Sequence, residues 1–465
     1  MIPQMCLTDA ALRFGGTLVN PDGYFSAVSI NSRTTKSGDL FVAIEGDKYD
    51  AHSYLSNVAD KISGAVVSRL NKTLDIPQWV VQDTTKALGD LARLRRDKFQ
   101  GIVVALTGSS GKTSVKEAIA MILSQANRVH ATSGNLNNHF GVPLTLLAMD
   151  SKTDIAVIEM GASAMGEIDY LSTIAKPDIA LVNNAQSAHI EGFGSLEAIA
   201  LAKAEIYQSL TSDGTAVLNL DQPWVEQWLD IIGQRKCISF SMTEHGADLF
   251  AKDIKDTGDG YFSFVLCINT KLAGVCTEQE VRLNHPGVHS ISNGLAAAAC
   301  AFAAGASLTE IVRGLENVAL IPGRLQRNVL SDNCVLIDDS YNANPDSFKT
   351  AIDVLSMTNS YRILVMGDMG ELGAHAEKSH REIGAYAKKA HLNALYAVGT
   401  DSAVASEEFE GQHFPDQDSL IDSLKTRIVE LESQHESITI LVKGSRSSVM
   451  ENIVQAFVSG GKSSC

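Results

Sequence analysis

The sequence predicts an α/β protein of several units, with parallel sheets at its heart. Three observations carry that expectation. Short continuous apolar runs alternate with helical patterns, the signature of strands buried on both faces. One such run ends in a Gly-Ser-Ser-Gly-Lys-Thr loop that opens a helix. A length of 465 residues fits about three domains.

Residues 1 to about 83 hold short strand-like runs, Leu40-Phe-Val-Ala-Ile44 and Gly64-Ala-Val-Val-Ser68, separated by turns. The stretch Thr84 to Phe99 reads as a helix leading into a second region, which extends to about residue 320. There the expected strands are Ile102–Leu106, Ile155–Glu159, Ile179–Asn183 and Ala216–Leu220. Runs of that length spaced by helices predict a parallel sheet covered on both sides. Pro322-Gly323 marks a break. The last region, 321–465, repeats the alternation. Its strands are expected at Val335–Ile337, Ile363–Met366, Leu395–Val398 and Ile438–Val442, and its helices at Asp346–Leu355, Glu377–Ala390 and Leu420–Glu432. The division is therefore 1–83, 84–320 and 321–465.

Composition narrows the function. A hydrophobic content of 45% supports large cores, and the net charge of −16 argues against a nucleic-acid binder, which needs a basic face. The start, Met1-Ile-Pro-Gln-Met-Cys6, lacks the basic and apolar parts of a signal peptide. The apolar stretch Leu295 to Gly305 is far short of the roughly 20 residues of a membrane span. Seven cysteines, scattered singly with no C-x-x-C pair, predict reduced thiols and a cytoplasmic setting.

The segment Thr107-Gly-Ser-Ser-Gly-Lys-Thr113 carries the chemistry. A strand precedes it, and a helix follows with Val115, Ala118, Ile119, Ile122 and Leu123 on one face. Gly108 and Gly111 let the N–H groups of the loop, including those of Ser109 and Ser110, converge on an anion. The helix N-terminus and Lys112 add positive charge, and the Thr113 hydroxyl is placed to ligate Mg²⁺. Two residues separate the glycines where the general phosphate loop has four.

Other strands end in polar clusters. Glu159-Met-Gly161 follows one; Asn183-Asn-Ala-Gln-Ser-Ala-His189 follows the next; then comes the helix Leu196–Leu210 with Lys203. Ligands bind beyond the carboxyl ends of strands in such sheets, so Glu159 and His189 are candidates to lie near a Mg²⁺ at Thr113. Each has a plainer reading: a solvated strand end for Glu159, a loop hydrogen bond for His189, a surface lysine for Lys203. Their succession on consecutive βα units is what joins them.

These motifs resemble the Mur ligases, ATP-dependent amide-bond ligases of peptidoglycan precursor synthesis. The resemblance rests on Thr107–Thr113, Asn135-Leu-Asn-Asn-His-Phe-Gly-Val-Pro143, Glu159-Met-Gly161, His189, Ala202-Lys203, His289 with Asn293, Pro322-Gly-Arg324 and Asp338-Asp-Ser-Tyr-Asn-Ala-Asn-Pro345. Within the family, Asp339–Pro345 and Gly367-Asp-Met-Gly-Glu-Leu-Gly373 resemble the members that add D-alanyl-D-alanine, and the match runs from Ser32-Arg33 to Lys443-Gly-Ser445. The departures are Ser290 after His289, where the family often has Asn, and Asp50-Ala-His52, where it often has Asp-Gly-His.

The resemblance implies a small N-terminal α/β domain for the UDP-sugar, a central ATPase domain and a C-terminal Rossmann-like domain for the incoming amine. It implies a monomer with ATP and Mg²⁺ as cofactors. Its substrates would be UDP-N-acetylmuramoyl-tripeptide and D-alanyl-D-alanine, joined through an acyl phosphate in the final cytoplasmic step of the pentapeptide precursor. By carry-over, Lys112, Lys203 and His189 are catalytic. Thr113, Glu159, His189 and a carbamylated Lys203 hold metal. Thr107–Thr113, Asn293, Arg324 and Asp339 bind ATP. Ser32, Arg33, Gly46, His52, Asn137 and Asn138 face the UDP substrate. Three rivals are a ligase adding the third residue, a folylpolyglutamate synthetase and a nucleotide-dependent regulatory protein. The first should carry Asp-Asn-Pro-Arg, which the sequence lacks.

Overall fold

The computed structural model describes residues 5–25, 27–46, 48–187, 190–258, 260–270 and 275–459. His189 lies outside them.

The central sheet has nine strands. Its middle strand, Ile102–Thr107, pairs in parallel with Ile155–Glu159 on one side and Ile179–Val182 on the other. Val129–Ala131 closes the first edge. Beyond Ile179–Val182 come Thr215–Asn219, Lys236–Ser241 and Leu249–Gly258, all parallel. The middle strand reads as an unbroken apolar run because both its faces are buried. Val103 and Ala105 join a core shared with helix Thr84–Lys98, while Val104 and Leu106 join a second core under helices Lys112–Leu123 and His289–Ala303. The alanine run of the last helix is buried against that sheet, which accounts for its hydropathy.

The sheet is not parallel throughout. Leu249–Gly258, Tyr261–Thr270 and Val275–Arg282 form an antiparallel meander that the alternation of strand and helix did not foretell. The first of these is buried at its start and exposed over its second half, with Lys and Asp interleaved, so it lacks the apolar run by which its neighbours were read.

Residues after Pro322 build a six-stranded sheet, ordered Gln326–Ser331, Cys334–Asp339, Ile438–Lys443, Tyr361–Met366, Ala394–Val398 and Gln412–Phe414. Only the first pairing is antiparallel. Separate cores fill its two faces. Near the N-terminus a five-stranded sheet runs Thr17–Val19, Gln78–Val80, Gly64–Val67, Leu40–Val42 and Val28–Ser29. No helix among the described residues is long and apolar enough to cross a membrane.

Candidate active site

The carboxyl ends of Ile102–Thr107 and Ile155–Glu159 open into a cavity of about 920 Å³, whose far wall belongs to the six-stranded sheet. Lys112, Thr113, Glu159, Asn293, Arg324, Asp339 and Lys443 all line it.

The phosphate loop is held by neutral amides. The Oδ1 of Asn184 accepts from the N–H groups of Ser109 (3.0 Å) and Ser110 (2.9 Å). The Nδ2 of Asn183 donates to the Ser110 carbonyl and to Asn293 Oδ1, both at 3.0 Å. Gly111 caps the helix at φ 77°. A Cβ there would stand 2.5 Å from Asn293 Oδ1 and 2.9 Å from Asn183 Nδ2, so only glycine fits. Lys112 Nζ donates to the Gly108 carbonyl at 2.8 Å. Burial lowers its pKa, Glu159 opposes that shift and Arg324 adds to it.

Glu159 is buried at the end of its strand, and Asn137 Nδ2 donates to its Oε1 at 2.8 Å. Its backbone N–H donates to Thr132 Oγ1 at 2.9 Å, and the Thr132 carbonyl accepts from the buried Lys116 at 2.6 Å. The Oε2 of Glu159 is buried and finds no partner among the described residues; the same holds for Thr107 Oγ1 and Asn183 Oδ1. A buried orphan of this kind costs about 1–3 kcal/mol. The unpaired Glu159 oxygen and the Thr113 hydroxyl, both on the cavity, are the hard oxygen donors that Mg²⁺ takes, so these residues fit the ion.

Lys203 sits buried in helix Leu196–Gln208, with its Nζ 5.9 Å from the centre of the Phe193 ring. Burial and then the charge of Lys112 pull its pKa down to about 7. Much of it is therefore the neutral, nucleophilic amine. Lys203 is not a solvated surface lysine.

Across the cavity, Arg324 Nη2 donates to Thr113 Oγ1 at 3.1 Å, with its guanidinium 4.3 Å from the Tyr341 ring centre. Lys443, 2% exposed, pairs with Asp339 at 2.5 Å and donates to the Asn342 carbonyl at 3.0 Å. Asn344 Nδ2 donates to Ser110 Oγ at 3.3 Å. His289 is half-buried beside Lys443 and His285, and desolvation, with those two charges, holds its pKa down at about 4. Ser290 lines the cavity, and its hydroxyl donates to the Pro286 carbonyl at 2.7 Å.

The structure thus gathers Ser109, Ser110, Gly111, Lys112, Thr113, Glu159, Asn293, Arg324 and Asp339 on one cavity, and Asn137 and Asn138 with them. Thr107, Gly108, Lys203, Ser32, Arg33, Gly46 and His52 are not among its lining residues; the last four lie in the N-terminal region, His52 in the short helix Ala51–Tyr54. Both ring nitrogens of His52 are engaged there: Nδ1 with Asp50 at 2.7 Å, Nε2 accepting from the Ser68 N–H at 2.9 Å. Burial lowers its pKa. Asn183-Asn184 stood out in the sequence as a polar strand end and Lys443 as the end of the family match, but neither their amide scaffold nor the Lys443 pairing with Asp339 is written locally.

The site and folds define a ligase family. Residues 106–301 match the Mur ligase middle domain, and residues 323–446 match the Mur ligase glutamate ligase domain. The chain belongs to the Mur ligase family. Within it, the chain is 43% identical over 447 residues to the UDP-N-acetylmuramoyl-tripeptide–D-alanyl-D-alanine ligase of Escherichia coli (strain K12), covering 96% of each. It is 32% identical to the ligase of the same name from Bacillus subtilis (strain 168), over 95% of this chain and 96% of that one. Among solved structures it is similar to MurF from Acinetobacter baumannii, with a TM-score of 0.90 and 34% identity over 98% of this chain and 100% of that one. It is also similar to MurF ligase from Thermotoga maritima in complex with ADP, with a TM-score of 0.80 and 26% identity over 94% and 98%.

Proposed function

We propose that the chain is the ATP-dependent ligase that adds D-alanyl-D-alanine to UDP-N-acetylmuramoyl-tripeptide, as a cytoplasmic monomer. The observation that carries this reading is the cavity in which the phosphate loop, an unpaired Glu159 oxygen and cations of the C-terminal sheet face one another. In it, residues 1–83 take the UDP-sugar, 84–320 take ATP, and 321–465 bring the amine. Ser32, Arg33 and Gly46 offer the nucleotide-sugar contacts, with His52 shaping their loop, and Asn138 and Asn137 stand where that substrate reaches the cavity.

A carboxylate does not acylate an amine at neutral pH, because oxide would have to leave. Here a carboxylate oxygen of the acceptor peptide attacks the γ-phosphorus of ATP, and the bond to ADP breaks. The amine nitrogen of D-alanyl-D-alanine then attacks the acyl carbon and loses a proton, and phosphate departs. With the Ser109 and Ser110 N–H groups tied to Asn184, Lys112 and the N-terminus of its helix grip the β- and γ-phosphates, and Arg324 meets charge on the transferring group from the opposite wall. Asn293 and Asp339, the latter fixed by Lys443, hold the nucleoside end. Thr113, Glu159, His189 and Lys203 would hold Mg²⁺, which when bound neutralises phosphoryl oxygens. For Lys203 this requires carbamylation: the neutral amine adds to CO₂, a C–N bond forms, and one proton passes to water. Its lowered pKa supports that step.

Phosphate release from ATP tests the proposal. Release should require both UDP-N-acetylmuramoyl-tripeptide and D-alanyl-D-alanine. Hydrolysis indifferent to either would defeat it and favour a nucleotide-driven switch.

A further inference from the structure

Cys267, Cys276 and Glu278 stand together on the antiparallel end of the nine-stranded sheet, and none of them lines the cavity. Cys267 faces Glu278 directly across the ladder, and Cys276 faces Asn269. Positions two apart on a strand share a face, so both thiols and the carboxylate project to one side. Their two sulfurs and a carboxylate oxygen all lie within 4.8 Å of one another. Cys267 is buried on a small apolar cluster with Ala247 and Phe250, while Cys276 and Glu278 are exposed. The arrangement is a dry floor with one soft donor and an open rim with one soft and one hard donor.

We propose that this is a binding site for one thiophilic divalent cation of the zinc class, held by Cys267 Sγ, Cys276 Sγ and a Glu278 oxygen, with water as fourth ligand, and that the ion clips the two outer strands together.

Tetrahedral coordination with metal–sulfur bonds of about 2.3 Å sets two sulfurs about 3.8 Å apart. Donors already within 4.8 Å reach that by small rotations about χ1. A disulfide fits less well. Cys267 and Cys276 are diagonal neighbours, and such pairs lie about 7–8 Å apart at Cα, where a disulfide needs about 4.4–6.8 Å. Binding balances as one M²⁺ plus two thiols and one carboxylate giving a complex of net charge −1 and two protons to solvent. Lys252, ion-paired through Glu278 Oε2, stays beside the site to offset that charge and leaves Oε1 for the metal.

The test uses the full chain, reduced and stripped with chelator, in Mg²⁺ buffer. Cd²⁺ should bind at one equivalent with an ultraviolet thiolate-to-metal charge-transfer band, and Zn²⁺ should raise the melting temperature. Cys276→Ser, at an exposed position where the fold is safe, should abolish the band. It should also weaken Zn²⁺ by more than the roughly 10–100-fold that loss of an outer-shell group costs. Cys267→Ser should do the same. Absence of the band, or a band unchanged in Cys276→Ser, overturns the assignment. Neither result bears on the ligase reading, since Mg²⁺ gives no such band.

Discussion

Gly111→Ala is the sharpest test of how the phosphate loop is built. The backbone there sits at φ 77°, and an L-residue in the left-handed region costs about 1–2 kcal/mol. The new Cβ would stand 2.5 Å from Asn293 Oδ1 and 2.9 Å from Asn183 Nδ2, both closer than real contacts allow. Asn183 must then give up its bonds to Asn293 and to the Ser110 carbonyl, each 3.0 Å in the native loop. At about 0.5–1.5 kcal/mol net per hydrogen bond, the total is roughly 2–5 kcal/mol. The helix that follows is anchored by Val115, Ile119 and Ile122, so the loop and not the fold absorbs the change. If the whole cost falls on the nucleotide-binding shape, affinity for Mg·ADP drops roughly 30-fold to a few thousandfold, at 1.4 kcal/mol per decade. Calorimetry measures it, with the melting temperature as fold control. Gly246→Ala, where a Cβ meets nothing within 4 Å, should change neither. Mg·ADP affinity within twofold of the native value in Gly111→Ala would refute the reasoning.

Three further outcomes are expected. Lys203→Ala should be inactive, and a short carboxylic acid should partly restore it. Because its pKa is held near 7, the amine is about half neutral at pH 7 and about one-tenth neutral at pH 6. At a fixed concentration of dissolved CO₂, enzyme depleted of it should therefore regain activity faster at pH 8 than at pH 6; a rate flat across that range counts against carbamylation. Lys116→Met leaves the Thr132 carbonyl unpaired, at about 1–3 kcal/mol, and loosens the strand end that carries Glu159. Titration should show a raised Mg²⁺ requirement with an unchanged KM for D-alanyl-D-alanine; an unaltered Mg²⁺ curve would reduce Lys116 to a packing role. Asp339→Asn strands the buried Lys443 charge, at about 3–5 kcal/mol. The double variant with Lys443→Met should melt above Asp339→Asn alone, and a lower melting point would show that the pair is not coupled in this way.

What could be read in the sequence followed from burial. Ile102–Thr107 and Ile438–Lys443 are covered on both faces, so their apolar runs announce strands without regard to partners. The phosphate loop was legible because its residues are adjacent in the chain. Contacts formed at a distance were not. Lys116 reads as an ordinary helix lysine until Thr132, 16 residues on, brings a carbonyl over it. Asn183 and Asn184 are visibly polar at a strand end, but nothing local says that their amides splint Ser109 and Ser110. Cys267 and Cys276 look like scattered thiols, because only the register of two antiparallel strands makes them neighbours. Val275–Arg282 is largely exposed and carries charges at alternate positions, so it lacks an apolar run, whereas Tyr261–Thr270 has one and carries no charge.

The neutral splint has a consequence for how the cavity spends its charge. The Ser109 and Ser110 N–H groups are taken by Asn184, so Lys112, Arg324 and the helix N-terminus are what remain for an anion. A protein of net charge −16 can in this way keep a locally positive mouth, since distant acids are screened within about 8–10 Å. Those cations come from different sheets. Lys112 rides the central helix, whereas Arg324 reaches Thr113 from the turn after Pro322. Asn344 with Ser110 and Asp346 with the Ser187 N–H are further hydrogen bonds across the same junction. These bonds, worth about 1 kcal/mol each, join the two sheets beside Ile190 packed on the C-terminal core and Arg327 over the Tyr261 ring. A triphosphate gripped from both walls adds differential contacts that exist only in this arrangement, and such contacts are what shift a conformational population. Nucleotide binding and the approach of the C-terminal domain are then one equilibrium, and substitutions on the Arg324 wall should weaken ATP and D-alanyl-D-alanine together.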